Sequence, residues 1–185
     1  MAKLFGTDGA RGVANQELTC DIAFALGQAA VTLLGKTLVV GRDTRISGDM
    51  LFSALSAGIM SRGGTVLDAG IIPTPGVAYL CRELYAAGGV VISASHNPPE
   101  YNGYKVYWED GAQITPPHDK NILAEVAKVT SFDQVKTMKK EDAVAAGLYK
   151  VIGKEIDDRY MEELKKQSIH PEVIKEMAKD IRIVY

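Results

Sequence analysis

Two cysteines, one tryptophan, three histidines and no long apolar run set the first limits on this 185-residue chain. Cys20 and Cys81 sit in mostly apolar, helix-like stretches and form no metal-spaced cluster. A disulfide framework and a zinc module are therefore excluded, and two reduced core thiols are expected. No segment approaches the roughly 18 consecutive apolar residues of a membrane-spanning helix, and the Met1–Gly6 stretch is too short in apolar length for a signal peptide. The expectation is a cytoplasmic chain with no membrane partner. A net charge of -2 with a pI near 5.9 leaves no basic footprint, so nucleic acid is not an expected partner and any anion must meet locally placed donors. Internal repeats and low-complexity segments are also missing.

What is present is an ordinary globular composition, 46% hydrophobic and 24% charged, long enough to bury about two thirds of the unfolded surface. Strand-like and helix-like periods alternate through the first two thirds of the chain, which is the pattern of an α/β layer structure. Thr19 is placed to cap a helix with the stripe Ile22, Leu26, Ala30, Leu33 and Leu34, stopped by Gly35. Leu38–Val40 follows as a buried strand. Ser47 or Gly48 opens a second helix with Leu51, Leu55 and Ile59 on one face, ended by Gly63 and Gly64. Thr65–Leu67 is the next strand, Thr74-Pro75 starts the next helix, and Gly89–Ile92 is a strand buried on both faces. Beyond Trp108 the pattern loosens. Thr115-Pro116-Pro117 is expected to start a helix reaching about Lys128, followed by a polar connector from Ser131 to Lys150, helices from Glu155 and Pro171, and an alternating strand over Ile181–Tyr185.

The strand Gly89–Ile92 runs into Ser95-His96-Asn97-Pro98, which places a nucleophile, an imidazole and an amide at a strand end, where open α/β sheets put their ligands. Pro98 and Pro99 forbid a helix there. Ten residues past Ser95 stands Lys105, a spacing that a turn and a short returning strand fold back beside the serine. Other glycine-rich stretches carry arginines: Gly6-Thr7-Asp8-Gly9-Ala10-Arg11-Gly12 and Gly41-Arg42-Asp43-Thr44-Arg45. The first lacks the spacing of a dinucleotide fingerprint, and the second lacks the Gly-Lys-Ser/Thr ending of a P-loop. Arg42, Asp43 and Arg45 read better as an ion-pair network supporting the serine loop than as a phosphate cradle. His118 and His170 each neighbour a helix-starting proline and read as surface residues.

Ser-Ala-Ser-His-Asn-Pro with Tyr-Asn-Gly-Tyr-Lys resembles the active-site serine loop of the α-D-phosphohexomutases, a family of phosphoglucomutases, phosphomannomutases and phosphoglucosamine mutases. The two arginine-bearing stretches resemble motifs of that family's first domain, in the same order. Up to about Tyr85 the wording is most similar to a phosphoglucosamine mutase. From about Ala87 onward, Lys105–Ile114 above all, it is more similar to the phosphoglucomutase and phosphomannomutase branch.

The resemblance implies a three-layer α/β domain with a mixed, mostly parallel sheet of about four strands between helices. It implies a phosphoserine at Ser95, an acid or base at Lys105, a phosphate fork at Arg11, and His96 donating to phosphoryl oxygens or orienting Ser95. Thr7 and Asn97 are weaker substrate-binding candidates, Asn97 being as well suited to shaping the turn. A phosphosugar substrate is implied, and Mg2+ as cofactor, with Ser95 as this chain's single metal ligand. The family's Asp-Gly-Asp-x-Asp-Arg metal loop has no counterpart here. The other reading is a non-catalytic phosphosugar-binding or interaction module that kept the fold. Residues 1–150 are expected to form the first domain, and 151–185 a helical connector with the first strand of a second. A homodimer exchanging that C-terminal segment is expected to cover its apolar side chains.

Overall fold

In a computed structural model, which describes residues 5–6, 9–131 and 137–182, the chain divides into one unit over Met1–Gly153 and another over Lys154–Tyr185. The first unit is built on one sheet. Its strands are β1 (Phe5–Gly6), β2 (Gly9–Val13), β3 (Thr37–Arg42), β4 (Thr65–Ile71), β5 (Gly88–Ile92), β6 (Tyr101–Trp108) and β7 (Tyr149–Val151). Their spatial order is β1-β2-β6-β5-β3-β4-β7. Strands β5, β3, β4 and β7 run parallel, while β1, β2, β6 and β5 pair antiparallel.

The α/β fold and the mixed sheet are as expected, but among the described residues seven strands replace about four. The additions are strands that period and composition do not reveal. Strand β2 reads Gly-Ala-Arg-Gly-Val, with no apolar run, and forms because β6 offers it four antiparallel partners. Strand β7 straddles the end of the expected polar connector, which also contains helix α5 (Lys140–Ala145). Three residues are too few to show a period. Its anchor is Tyr149, which packs into the core and donates its hydroxyl to Asp68 Oδ2 at 2.6 Å. A parallel neighbour in β4 supplies the rest.

Helix α1 (Cys20–Leu34) starts where Thr19 Oγ1 accepts from the Ile22 amide at 3.5 Å and ends at Gly35, whose φ of 129° suits glycine. Helix α2 (Gly48–Ser61) follows β3. Ser47 stands at its N-cap but does not cap it with its side chain, because its backbone is already helical; its hydroxyl accepts from Asn102 Nδ2 at 2.9 Å. The two helices meet almost backbone to backbone. A Cβ on Gly27 would lie 2.2 Å from Leu55 O, and one on Gly58 would lie 2.1 Å from Phe24 O. Glycine at both positions lets Leu26, Leu51, Leu55 and Ile59 close over Leu38, Val40, Val90 and Ile92.

Helix α3 (Thr74–Glu83) covers the opposite face: Cβ atoms on Gly41 and Gly89 would strike Val77, Ile72 and Cys81. The sheet thus lies between helical layers. Helix α4 (His118–Val126) adds Ile122 to the larger core.

The second unit holds α6 (Lys154–Lys166) and α7 (Pro171–Met177), both where helices were expected. Of its apolar residues Ile156 is buried, whereas Met161, Leu164, Val173, Ile174 and Met177 are exposed. Of the expected terminal strand, Ile181 and Arg182 are not in strand conformation, and Ile183–Tyr185 lie outside the described residues.

Candidate functional site

Strand β5 is buried throughout, and its ladder with β6 extends one step further through the Ser93 amide, which donates to Gly103 O at 2.8 Å. There the chain leaves the sheet. The Ser95 amide donates to Ser93 Oγ at 3.0 Å, and Ser95 takes the left-handed region at φ 56°, costly for a residue with a Cβ. The Asn97 amide donates to Ala94 O and the Tyr101 amide to Pro98 O, both at 3.1 Å, before β6 returns. Ser95 and His96 are exposed. Ser95 Oγ lies 3.4 Å from His96 Nδ1, so nucleophile and imidazole are neighbours at the outer end of a parallel strand.

Arg45 holds this loop. Its Nη1 donates to Pro98 O at 2.6 Å and Tyr101 O at 3.0 Å, and its Nη2 to Ser95 O at 2.9 Å and Asn97 O at 2.7 Å. Its Nε donates to Asp43 Oδ2 at 3.2 Å, and the Asp43 amide donates to Ile92 O at 3.1 Å. The expected network around the loop is therefore real for Asp43 and Arg45. Arg42 does not share in it. It pairs with Asp49 at 2.8 Å and Asp68 at 3.1 Å and covers the Phe52 ring, since its side chain starts earlier, on β3.

Arg11, on the glycine-rich stretch, lies in β2 directly across from Gly103. The absence of a side chain at Gly103 gives it room: a Cβ there would lie 2.9 Å from Arg11 Cγ and 3.0 Å from Ser93 O. Lys105 is opposite Val91, on the face that position 103 shares by strand alternation. Arg11 and Lys105, both half-buried, thus rise from one face of the neighbouring strands β2 and β6, with Lys105 in register with Val91, four residues before Ser95, rather than beside the serine as expected. The arrangement offers an exposed hydroxyl, an imidazole and two cations, which suits a phosphoryl group.

Of the remaining candidates, Asn97 shapes the turn through its backbone, and Thr7 lies outside the described residues. Two supports escaped sequence reasoning. Ser93 is buried and orients the Ser95 amide; its only signal is the alternation Ser-Ala-Ser, which reads equally as turn chemistry. Asn102 is fully buried and ties β6 to the start of α2 through Ser47. His118 is half-buried rather than on the surface, because Trp108 meets it edge-on at 4.7 Å. His170 is exposed and pairs with Glu172 at 3.0 Å. Burial pushes the Cys81 thiol up to about 12, and both cysteines are free.

Residues 2–133 match the family described as phosphoglucomutase/phosphomannomutase, alpha/beta/alpha domain I. The chain belongs to this family. A phosphoglucosamine mutase of Clostridioides difficile (strain 630) is 58% identical over 138 residues, covering 72% of this chain and 31% of that protein. One from Desulforamulus reducens is 47% identical over 156 residues, covering 82% and 34%. A match of that length runs well past Tyr85, into the part whose wording resembles the other branch. Among solved structures, a putative phosphomannomutase from Thermus thermophilus aligns with a TM-score of 0.74 and 33% identity over 88% of this chain and 35% of that one. The chain spans about a third of the length of the curated relatives it matches.

The Mg2+ expected from the resemblance has no complete site in these residues. Among the described residues no three of His, Cys, Asp and Glu converge, and a lone seryl oxygen does not fit a cation that takes six oxygen ligands.

Proposed function

We propose that this chain is the phosphoserine-bearing domain of a phosphohexomutase, which interconverts hexose or hexosamine 1-phosphate and 6-phosphate through a bisphosphate. The observation that carries the reading is Ser95 itself, an exposed hydroxyl on a left-handed backbone beside an imidazole, at the end of a strand whose antiparallel partner carries Lys105. Strained, solvent-facing nucleophiles are features that structures keep at functional sites.

In the half-reaction, Ser95 Oγ attacks the phosphorus of a sugar phosphate ester. The Oγ–P bond forms as the bond from phosphorus to the sugar oxygen breaks. The Oγ proton passes to a base and the sugar oxygen takes one up, so a seryl hydroxyl and a sugar phosphate become a seryl phosphate and a sugar hydroxyl. Lys105 is the group proposed to exchange the proton at the sugar, Arg11 to hold phosphoryl oxygens as a fork, and His96 to donate to them or orient Oγ. Thr7 is a further proposed contact.

Intact-mass and peptide analysis after incubation with glucose 1,6-bisphosphate and magnesium tests the reading. One phosphoryl group on Ser95, absent from Ser95→Ala, is the expected result. Equal labelling of Ser95→Ala refutes it, and a Ser95 that stays unmodified favours the non-catalytic binding module. Sugar phosphate isomerisation by the chain alone is expected to be undetectable, since positioning and charge stabilisation carry most of phosphoryl transfer. The exposed apolar residues of α6 and α7 support association of two copies, which sedimentation at micromolar concentration checks.

A further inference from the structure

We infer that Arg45 is the positioning residue of the serine loop: it holds Ser95 in its left-handed conformation and so aims Oγ, without touching phosphate itself. The inference rests on the reading of Ser95 as the phosphoryl acceptor.

A guanidinium has five N–H donors. In this chain all five are committed, four to the carbonyls of Ser95, Asn97, Pro98 and Tyr101 and the fifth to Asp43. No donor is left over for a ligand, and the side chain is only 12% exposed. Motif reading alone could have made Arg45 part of a phosphate cradle; its saturated donors remove it from that role. What it does bind is a set of backbone oxygens spread along the loop from Ser95 to Tyr101. Each belongs to a segment that contributes few buried apolar contacts of its own, with Ser95, His96, Pro98, Pro99 and Glu100 outside the core.

The contact at Ser95 O matters most. A serine at φ 56° relaxes toward the ordinary regions unless its neighbours over-determine it. Two bonds oppose that relaxation, one on each side of the residue: Ser93 Oγ accepts from its amide and Arg45 Nη2 donates to its carbonyl. Removing Arg45 leaves the amide side alone. Lysine is a poor substitute, because three donors from one point cannot reach carbonyls arranged around a planar fork.

Arg45→Ala and Arg45→Lys, compared with the wild-type chain, test this with two readouts. The first is the backbone carbon chemical shifts of Ser95, which report its φ and ψ. They are expected to leave left-handed values in Arg45→Ala and to move part-way in Arg45→Lys, while those of Val39 and Val90 in the sheet stay in place and show that the fold persists. A role confined to general stability does not move Ser95 selectively. The second is the rate of Ser95 phosphorylation against glucose 1,6-bisphosphate concentration. The maximal rate is expected to fall by roughly 30-fold or more in Arg45→Ala with the half-saturating concentration unchanged, as loss of positioning of a reacting group does. Methylguanidinium is expected to restore part of it. Unchanged Ser95 shifts overturn the inference, as does an unchanged maximal rate or a loss confined to half-saturation. If the wild type takes no phosphoryl group, the proposed function fails, and the shifts alone still decide whether Arg45 sets the conformation of Ser95.

Discussion

Gly58→Ala sets two effects of opposite sign against each other within one helix. Alanine in place of glycine in a helix interior gains about 1 kcal/mol of propensity. Here the new Cβ would lie 2.1 Å from Phe24 O and 2.9 Å from Phe24 C, both backbone atoms of α1. Reaching an ordinary contact of about 3.5 Å requires the two backbones to part by about 1.4 Å, and a gap of that size forfeits about half or more of the dispersion energy across the affected contacts. Overpacking against backbone belongs at the upper end of the usual range, about 3 kcal/mol. The clash wins, and a net destabilisation of about 2 kcal/mol is expected, or roughly 4–8 °C in Tm for a unit of this size. Gly48→Ala in the same helix is the control. Its Cβ would meet Asp43 O at 3.5 Å and Arg42 Cδ at 3.7 Å, ordinary contacts, so it is expected to be neutral or stabilising by up to about 1 kcal/mol. Urea unfolding followed by far-ultraviolet circular dichroism measures both. Gly27→Ala meets Leu55 O at 2.2 Å and should resemble Gly58→Ala, while the double variant should cost less than the sum, since one parting of the helices relieves both clashes. A Gly58→Ala variant as stable as the wild type would refute the reasoning.

Three further outcomes are expected. Ser95→Gly should be more stable than Ser95→Ala by about 1 kcal/mol, because only glycine takes a φ of 56° without penalty; equal urea midpoints would remove strain from the account of the site. Gly103→Ala should displace the Arg11 stem, with a Cβ 2.9 Å from Arg11 Cγ and 2.8 Å from Ala10 O, costing about 1–3 kcal/mol and slowing Ser95 phosphorylation; a wild-type melting curve and rate would contradict it. Stability should fall as pH rises from about 9 to 12. Folding raises the Cys81 thiol from 9.0 to about 12 by burial, and burial raises Tyr104 and Tyr149 as well, so the folded chain keeps protons that the unfolded chain gives up. That stability is complete below the unfolded values and is lost above them, with a slope of up to about 1.4 kcal/mol per pH unit for each group. Cys81→Ala should flatten the slope by one proton in urea titrations across this range, and an unchanged slope would count against a thiol held neutral.

Much of this protein is legible in its sequence because local rules act at short range. The Thr19 cap, the stop at Gly35, the stripe of α2, the proline start of α3 and the buried run of β5 each rest on a few neighbouring residues, and all of them stand where those residues put them. The turn of the serine loop was equally local, but the register of the returning strand was not, and it sets Lys105 against Val91, four residues before Ser95. Tertiary structure decided what depends on partners distant in sequence. Strand β2 carries no period of its own and exists because β6 pairs with it, which turned Arg11 from a residue on a glycine-rich stretch into one fixed over Gly103. Strand β7 exists because Asp68, some eighty residues earlier, needs a hydroxyl and β4 offers it an edge. Arg42 and Arg45 are alike as letters. Only the fold sends one to Asp49 and Asp68 and gives the other four carbonyls of a loop fifty or more residues away, because hydrogen bonds are assigned by distance in space and not by distance along the chain.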